Sequence, residues 1–178
     1  MKYVAFFRNV NLGRAPSPTK AQLLQAFSAA GAEAESFQSN GTVIFDAASS
    51  AQAKRVVVHV RASLRESTHL REPAFVRSIR QLAKLVRDEP FAAISDSPHA
   101  GFYVTFFDGP WPAKASEVLA AEKATLEILK RVPGMVLSVA RHHGARVGKP
   151  NAAVENSTGG PASTRSWTTI VRIGRRYT

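Results

Sequence analysis

Two polar stretches hold the residue types that suit anion binding. The first is Arg8-Asn9-Val10-Asn11-Leu12-Gly13-Arg14, at the exit of a short apolar segment. The second is Thr164-Arg165-Ser166-Trp167-Thr168-Thr169. Read as the start of the last helix, the second stretch offers free backbone N–H groups, hydroxyls and a guanidinium, which together attract an anion. An arginine leaving a buried strand beside two asparagines has a similar polar reach. Arg8, Asn9, Asn11, Thr164, Arg165 and Thr169 are therefore candidate ligand-binding residues. The plainer role for these residues is to cap elements and bind loop backbone, since Asn and Thr are common caps.

Other chemistries find less support. Gly144-Ala145-Arg146-Val147-Gly148-Lys149-Pro150 resembles a phosphate loop. Its glycines are one residue too close, Pro replaces the Ser/Thr that would bind magnesium, and no helix is expected to begin well behind it. His142 and His143 are adjacent, and His59, His69 and His99 are scattered, so none has the i,i+4 spacing of a helical metal site. No metal and no cofactor is expected. Glu33 and Glu35 share a strand face, where solvated carboxylates are the ordinary outcome. There is no Gly-x-Ser-x-Gly elbow and no glycine-rich dinucleotide fingerprint.

The elements that must position these residues follow from periodicity. Residues 3–8 read as a buried first strand. Ser17-Pro18 opens a helix with the stripe Ala21, Leu23, Leu24 and Phe27, and Gly31 ends it. Residues 34–38 and 42–45 form a hairpin around Asn40-Gly41. Ala51 to Arg65 reads as a helix facing inward through Ala53, Val56, Val57, Val60 and Leu64, with a strand as the alternative at Val56-Val57-Val58. Pro73 to Val76 is a short strand, giving the β-α-β-β-α-β order of a ferredoxin-like unit. Ile79 to Asp88 is a further helix, and Arg77, Arg80, Lys84 and Arg87 make a basic stripe opposite its apolar face. Residues 102–107 form a strand, Pro112 opens a helix to about Glu122, and 125–130 and 135–140 form a hairpin. Residues 142–163 read as a loop, and the last helix starts near Thr164. The second half echoes the first without clear sequence identity. The expected division is a first subdomain with its following helix over 1–88, a linker over 89–101, and a second subdomain over 102–178.

The chain has 178 residues, of which 44% are hydrophobic and 21% charged. That mixture excludes a disordered polyelectrolyte. With no cysteine, disulfides, thiol nucleophiles and Cys-based zinc sites are excluded. No apolar run reaches membrane-helix length, and the run after Lys2 stops at Arg8, too soon for a signal peptide. A cytoplasmic protein with no membrane partner is the expectation. The net charge of +11 is concentrated. Residues 54–87 carry a surplus of seven positive charges and residues 141–178 a surplus of six, around a slightly acidic remainder. Sixteen of the 24 basic residues are Arg, which offers phosphate a planar fork. A compositional preference for Arg and Ala explains the surplus equally well.

Three motifs resemble the DUF1697 family, a bacterial family of uncharacterised function. Its opening usually reads like YVALLRGINVGG. Here Arg8, Asn11 and Gly13 match, while Asn9 and Arg14 replace glycines. Its hairpin usually reads like FIQSGNVVF. Here Gly41 and Phe45 match, and Asn40 and Thr42 stand where Ser and Asn are usual. A signature near the end reads like TRNWNTV. Here Thr164, Arg165, Trp167 and Thr169 match, and Ser166 and Thr168 replace both Asn. These motifs add Gly13, Asn40 and Trp167 to the candidate ligand-binding residues. The resemblance implies a pair of ferredoxin-like α+β subdomains with antiparallel sheets, and no established activity.

The leading expectation is a protein that binds an anionic ligand, nucleic acid or a phosphorylated metabolite, through the two basic segments. The alternative is a small-molecule enzyme with an Arg-lined site between its halves. There Arg8 and Arg165 would hold an anionic substrate and Asn11, Thr164 or Thr169 would orient it, though no general base is linked to them. A third reading gives the motifs a structural role, tying the last helix to the first strand. Sequence specifies neither partner nor oligomeric state.

Overall fold

The computed structural model describes residues 1–94, 100–112, 125–143 and 146–177. It has an α+β fold built on two antiparallel sheets. The chain divides into two compact units, Met1–Gln81 with Tyr177, and Leu82–Arg176.

In the first unit, β1 (Lys2–Phe7), β2 (Ala34–Gln38), β3 (Thr42–Asp46) and β4 (Ala74–Ser78) form a sheet of order β2-β3-β1-β4. Helices α1 (Lys20–Ala29) and α2 (Ser50–Thr68) connect them. This is the ferredoxin-like order, with the first strand held centrally by β3 and β4. Alternate residues of β1 point to opposite faces. Tyr3, Ala5 and Phe7 join Phe27 of α1, Phe45 of β3 and Val57, Val60 and Leu64 of α2 in one core. Phe27 lies 5.2 Å from Phe45 and 6.4 Å from Phe7, centroid to centroid. On the other face Val4, Phe6, Ile44 and Phe75 are also buried. A strand buried on both faces reads as a continuous apolar run, which is how residues 3–7 appear.

In the second unit, β5 (Ala100–Phe107), β6 (Leu126–Val132), β7 (Met135–His143) and β9 (Ala162–Ser166) take the order β6-β7-β5-β9, and β8 (Arg146–Val147) pairs with β7. Helix α3 (Ile79–Arg87) leads out of the first unit. Helices α4 (Pro150–Thr158) and α5 (Trp167–Arg176) flank β9. Phe107, Val136, Ala162 and Val154 of α4 form one core cluster, and Leu126, Ala140 and Ala153 another.

The strand registers of the two units correspond rung for rung. Tyr3, Val4, Ala5, Phe6 and Phe7 pair with Ser78, Arg77, Val76, Phe75 and Ala74. Tyr103, Val104, Thr105, Phe106 and Phe107 pair with Ser166, Arg165, Thr164, Ser163 and Ala162. The two central strands thus share Tyr-Val-x-Phe-Phe, and their partners share Arg-Ser at the same rungs. The hairpin glycines correspond as well. Phe7 N–H donates to the Gly41 carbonyl at 2.9 Å, and Phe107 N–H donates to that of Gly134 at 3.2 Å. Both glycines have left-handed φ, 75° and 71°.

Several expectations are corrected. Helix α1 is capped by Thr19, not Ser17: Thr19 and Gln22 form a reciprocal capping box, while Ser17 Oγ accepts from the Asn11 N–H at 2.9 Å. By contrast, the helical reading of Val56-Val57-Val58 holds over its strand alternative, because Val56 and Val57 face the core and outweigh their weak propensity. Residues 142–163 are no mere loop. Pro150 sits in the first turn of α4 and Gly159 closes it at φ 68°, so a helix does begin behind Gly148-Lys149. Strand β9 follows, and the last helix begins at Trp167 rather than Thr164. The helix expected from Pro112 to Glu122 and the centre of the proposed linker fall largely outside the described residues.

The Gly41 turn yields a test. A Cβ there would sit 2.8 Å from Phe7 Cβ and 2.9 Å from Val10 Cβ, at a left-handed φ. Gly31 has the same φ of 75° with nothing within 4 Å. Urea unfolding should show Gly41→Ala losing about 3 kcal/mol and Gly31→Ala about 1 kcal/mol.

Candidate functional site

The loop after β1 is held by its own polar groups. Arg8 N–H donates to the Pro73 carbonyl at 2.9 Å, and the Arg8 guanidinium pairs with Glu72 Oε2 at 2.8 Å. Asn9 Nδ2 donates to the other carboxylate oxygen of Glu72 at 3.2 Å. Asn9 has φ 50°, the left-handed conformation that Asn tolerates better than most residues, which explains why Asn can stand where the family motif has glycine. Val10 enters the core, Leu12 N–H donates to the Ser39 carbonyl at 2.7 Å, and Gly13 N–H to that of Pro18 at 3.0 Å with φ 83°. Asn11 is exposed, and its carbonyl accepts from Arg14 N–H at 3.1 Å. In the hairpin, Asn40 accepts from the buried Thr42 hydroxyl at 2.7 Å and donates to Gln38 Oε1 at 3.2 Å. Arg8 and Asn9 therefore meet on one carboxylate, while Asn11, Gly13 and Asn40 build turns.

The second motif is split by face. Thr164 and Arg165 lie on β9, not on a helix N-terminus, so the helix-end anion site expected there does not form from them. The Thr164 hydroxyl meets that of Thr105 at 2.8 Å and donates to Asn151 Oδ1 of α4 at 3.3 Å. Arg165 points to the other face, is only 7% exposed, and donates from one guanidinium nitrogen to Ser163 Oγ at 2.8 Å and the Thr164 carbonyl at 2.9 Å. Burial pushes its pKa down to about 10. Ser166 caps α5 by accepting from Thr169 N–H at 3.3 Å, and its hydroxyl meets that of Thr169 at 3.0 Å. Ser in place of the family's Asn keeps this capping chemistry. Trp167 packs edge-on to Phe91, with centroids 5.1 Å apart.

The basic surface also needs correction. Arg77 belongs to β4 and is 8% exposed, at the rung that Arg165 occupies in the second unit. A guanidinium nitrogen of Arg77 donates to the Val76 carbonyl at 2.7 Å. Arg80, Lys84 and Arg87 are exposed on α3. Lys84 is already paired with Asp88 at 3.0 Å, and this hydrogen bond, with Lys130 and Arg87 nearby, holds the Asp88 carboxyl below its ordinary range.

A different group of arginines is more open. Arg61 and Arg65 of α2 and Arg71 beyond it line a groove of about 410 Å³ with Val58, Ala62 and Leu70. Arg61 Nε is anchored on the Glu72 carbonyl at 3.2 Å. Neither Arg65 nor Arg71 has a carboxylate partner among the described residues, and no described carboxylate lines the groove. Three guanidiniums over an apolar floor match a phosphate group carried on an organic body. In the sequence these residues fall within the basic segment 54–87 but outside the α3 stripe. The usable signal was the i,i+4 spacing of Arg61 and Arg65 beside the exposed Val58.

Among the described residues no group of three or more His, Asp or Glu is placed to hold a metal, and no helix is long and apolar enough to cross a membrane. The family model described as a protein of unknown function, DUF1697, matches residues 1–136. No curated protein matches the chain. A solved structure of similar fold is that of the conserved bacterial protein SP0830 from Streptococcus pneumoniae, with 14% identity, a TM-score of 0.63, and coverage of 98% of this chain and 97% of that one.

Arg165 sets a pH signature. Its folded pKa of about 10 lies below the ordinary guanidinium range, so the folded state releases this proton first as pH rises. Below about pH 10 the cost of burying the charge is present in full, and it is relieved as the pH rises above that value. Denaturant unfolding at about pH 9 and about pH 11 should show the native protein gaining stability relative to Arg165→Met over that interval.

Proposed function

Starting from a chain that belongs to the DUF1697 family of proteins of unknown function, we propose that this member binds a phosphate-bearing anion in the groove of Arg61, Arg65 and Arg71. The observation carrying this reading is a cluster of three arginines on one groove, two of them without a carboxylate partner among the described residues. The ligand is a nucleic acid or a phosphorylated metabolite, and the site is cytoplasmic. Arg offers bidentate hydrogen bonds to phosphate oxygens, and Val58 at 59% exposure gives the organic part of a ligand an apolar seat. Arg8 and Arg165 act structurally in this reading: one is balanced by Glu72, the other is buried in the sheet.

Binding of this kind is mainly electrostatic. Three arginines on a single strand's phosphates give a slope of about −2 in log affinity against log salt. A fluorescence anisotropy titration with a labelled single-stranded oligonucleotide, competed by inorganic phosphate and a sugar phosphate, measures it. Arg61→Ala combined with Arg65→Ala and Arg71→Ala should remove most of the slope, whereas Arg8→Ala should leave it in place. Unchanged affinity in the triple variant rejects the reading.

A further inference from the structure

The second unit holds a cavity whose walls differ in kind from the arginine groove. It has a volume of about 440 Å³ and is lined from α3 by Val86, from the following turn by Glu89, Phe91 and Ile94, from β5 by Phe102, and from α5 by Trp167, Val171 and Arg175. Trp167, Val171 and Arg175 recur every fourth residue, so one face of α5 supplies a whole wall. Close approach of Gly174 to the α3 side chains, where a Cβ would lie 3.1 Å from Val86 Cγ2, sets that wall against α3. Phe91, itself buried, lies 4.9 Å from Phe102 in a tilted contact and 5.1 Å from Trp167 edge-on, centroid to centroid, so it props these two partly exposed rings in the cavity wall.

Two charges complete the cavity. Arg175 and Glu89 both line it, yet they form no ion pair with each other or with any other described residue. Glu89 takes φ 41° at the exit of α3, where its N–H donates to the Val86 carbonyl at 3.2 Å and fixes it at the cavity rim. Aromatic walls select a planar ring, a carboxylate selects ring or exocyclic N–H donors, and a guanidinium selects an anion. The volume falls within the range of roughly 300–1,000 Å³ usual for small-molecule sites.

We infer that this cavity binds a purine nucleoside monophosphate. The base packs against the partly exposed rings of Phe102 and Trp167, its N–H donors turn to Glu89, and its phosphate meets Arg175. This site stands on other residues than the arginine groove of the first unit and does not depend on it.

The chain has two tryptophans, so a Trp111→Phe background leaves Trp167 as the sole indole reporter. Titration with AMP and GMP should quench its emission saturably. Adenosine should bind about tenfold more weakly, and ribose 5-phosphate should not quench. By calorimetry on the otherwise native protein, Arg175→Gln should weaken AMP about tenfold and leave adenosine unchanged. Arg61→Ala with Arg65→Ala should leave AMP binding intact, which separates this site from the groove. Arg175 is exposed, so its variant keeps the fold, as circular dichroism checks. No saturable quenching by either nucleotide overturns the inference, and so does AMP affinity indifferent to Arg175→Gln.

Discussion

The double-sided burial of a central strand is the constraint on which the rest depends. Tyr-Val-x-Phe-Phe leaves no face of β1 or β5 for water over its last four residues. A strand so placed needs a partner on each side and a cover on each face. Its last phenylalanine donates to a left-handed glycine carbonyl in both units, which fixes where the hairpin turns. On its other side the partner strand brings an arginine to the second residue, whether Arg77 opposite Val4 or Arg165 opposite Val104. The helix that follows is then capped by a serine, Ser78 or Ser166. Gly41, Arg165 and Ser166 thus each answer a need that a doubly buried central strand sets.

This sorts the arginines by physical circumstance. Arg77 and Arg165 are buried in sheets, where a guanidinium is costly and its hydrogen bonds to backbone and hydroxyl offset part of that cost. Arg8 is half-buried and matched by Glu72. Lys84 is matched by its own helix neighbour. Arg61, Arg65 and Arg71 are left facing a groove without a carboxylate. A high net charge alone does not distinguish these cases. Two of the residue sets that attract attention in the sequence are internal ties, and the open cations lie elsewhere.

Much of the fold was legible because it obeys local rules. The β1 run, the Asn40-Gly41 hairpin, the inward stripe of α2 and the order of the first unit all follow from periodicity and turn chemistry. What escaped did so for tertiary reasons. Strand β9 reads Ala-Ser-Thr-Arg-Ser, with no apolar alternation, and is a strand only because β5 pairs with it. Helix α4 carried its proline start and glycine stop, but Asn, Ser and Thr between them imitate a loop. The Tyr-Val-x-Phe-Phe repeat was on view, yet five residues are too few to stand out until the strand registers align them. Arg77 reads as exposed in the sequence because Arg80, Lys84 and Arg87 continue its spacing, yet it lies on β4 and is buried.

The central claim is that anion binding resides in the open arginines and not in the motif arginines. Backbone amide chemical-shift mapping during titration with inorganic tripolyphosphate, a probe without a base or sugar, tests it most directly. The account predicts saturable shifts over residues 58–71, with 8–13 and 162–165 unmoved. Shifts centred on 8–13 or 162–165, with 58–71 silent, would contradict it.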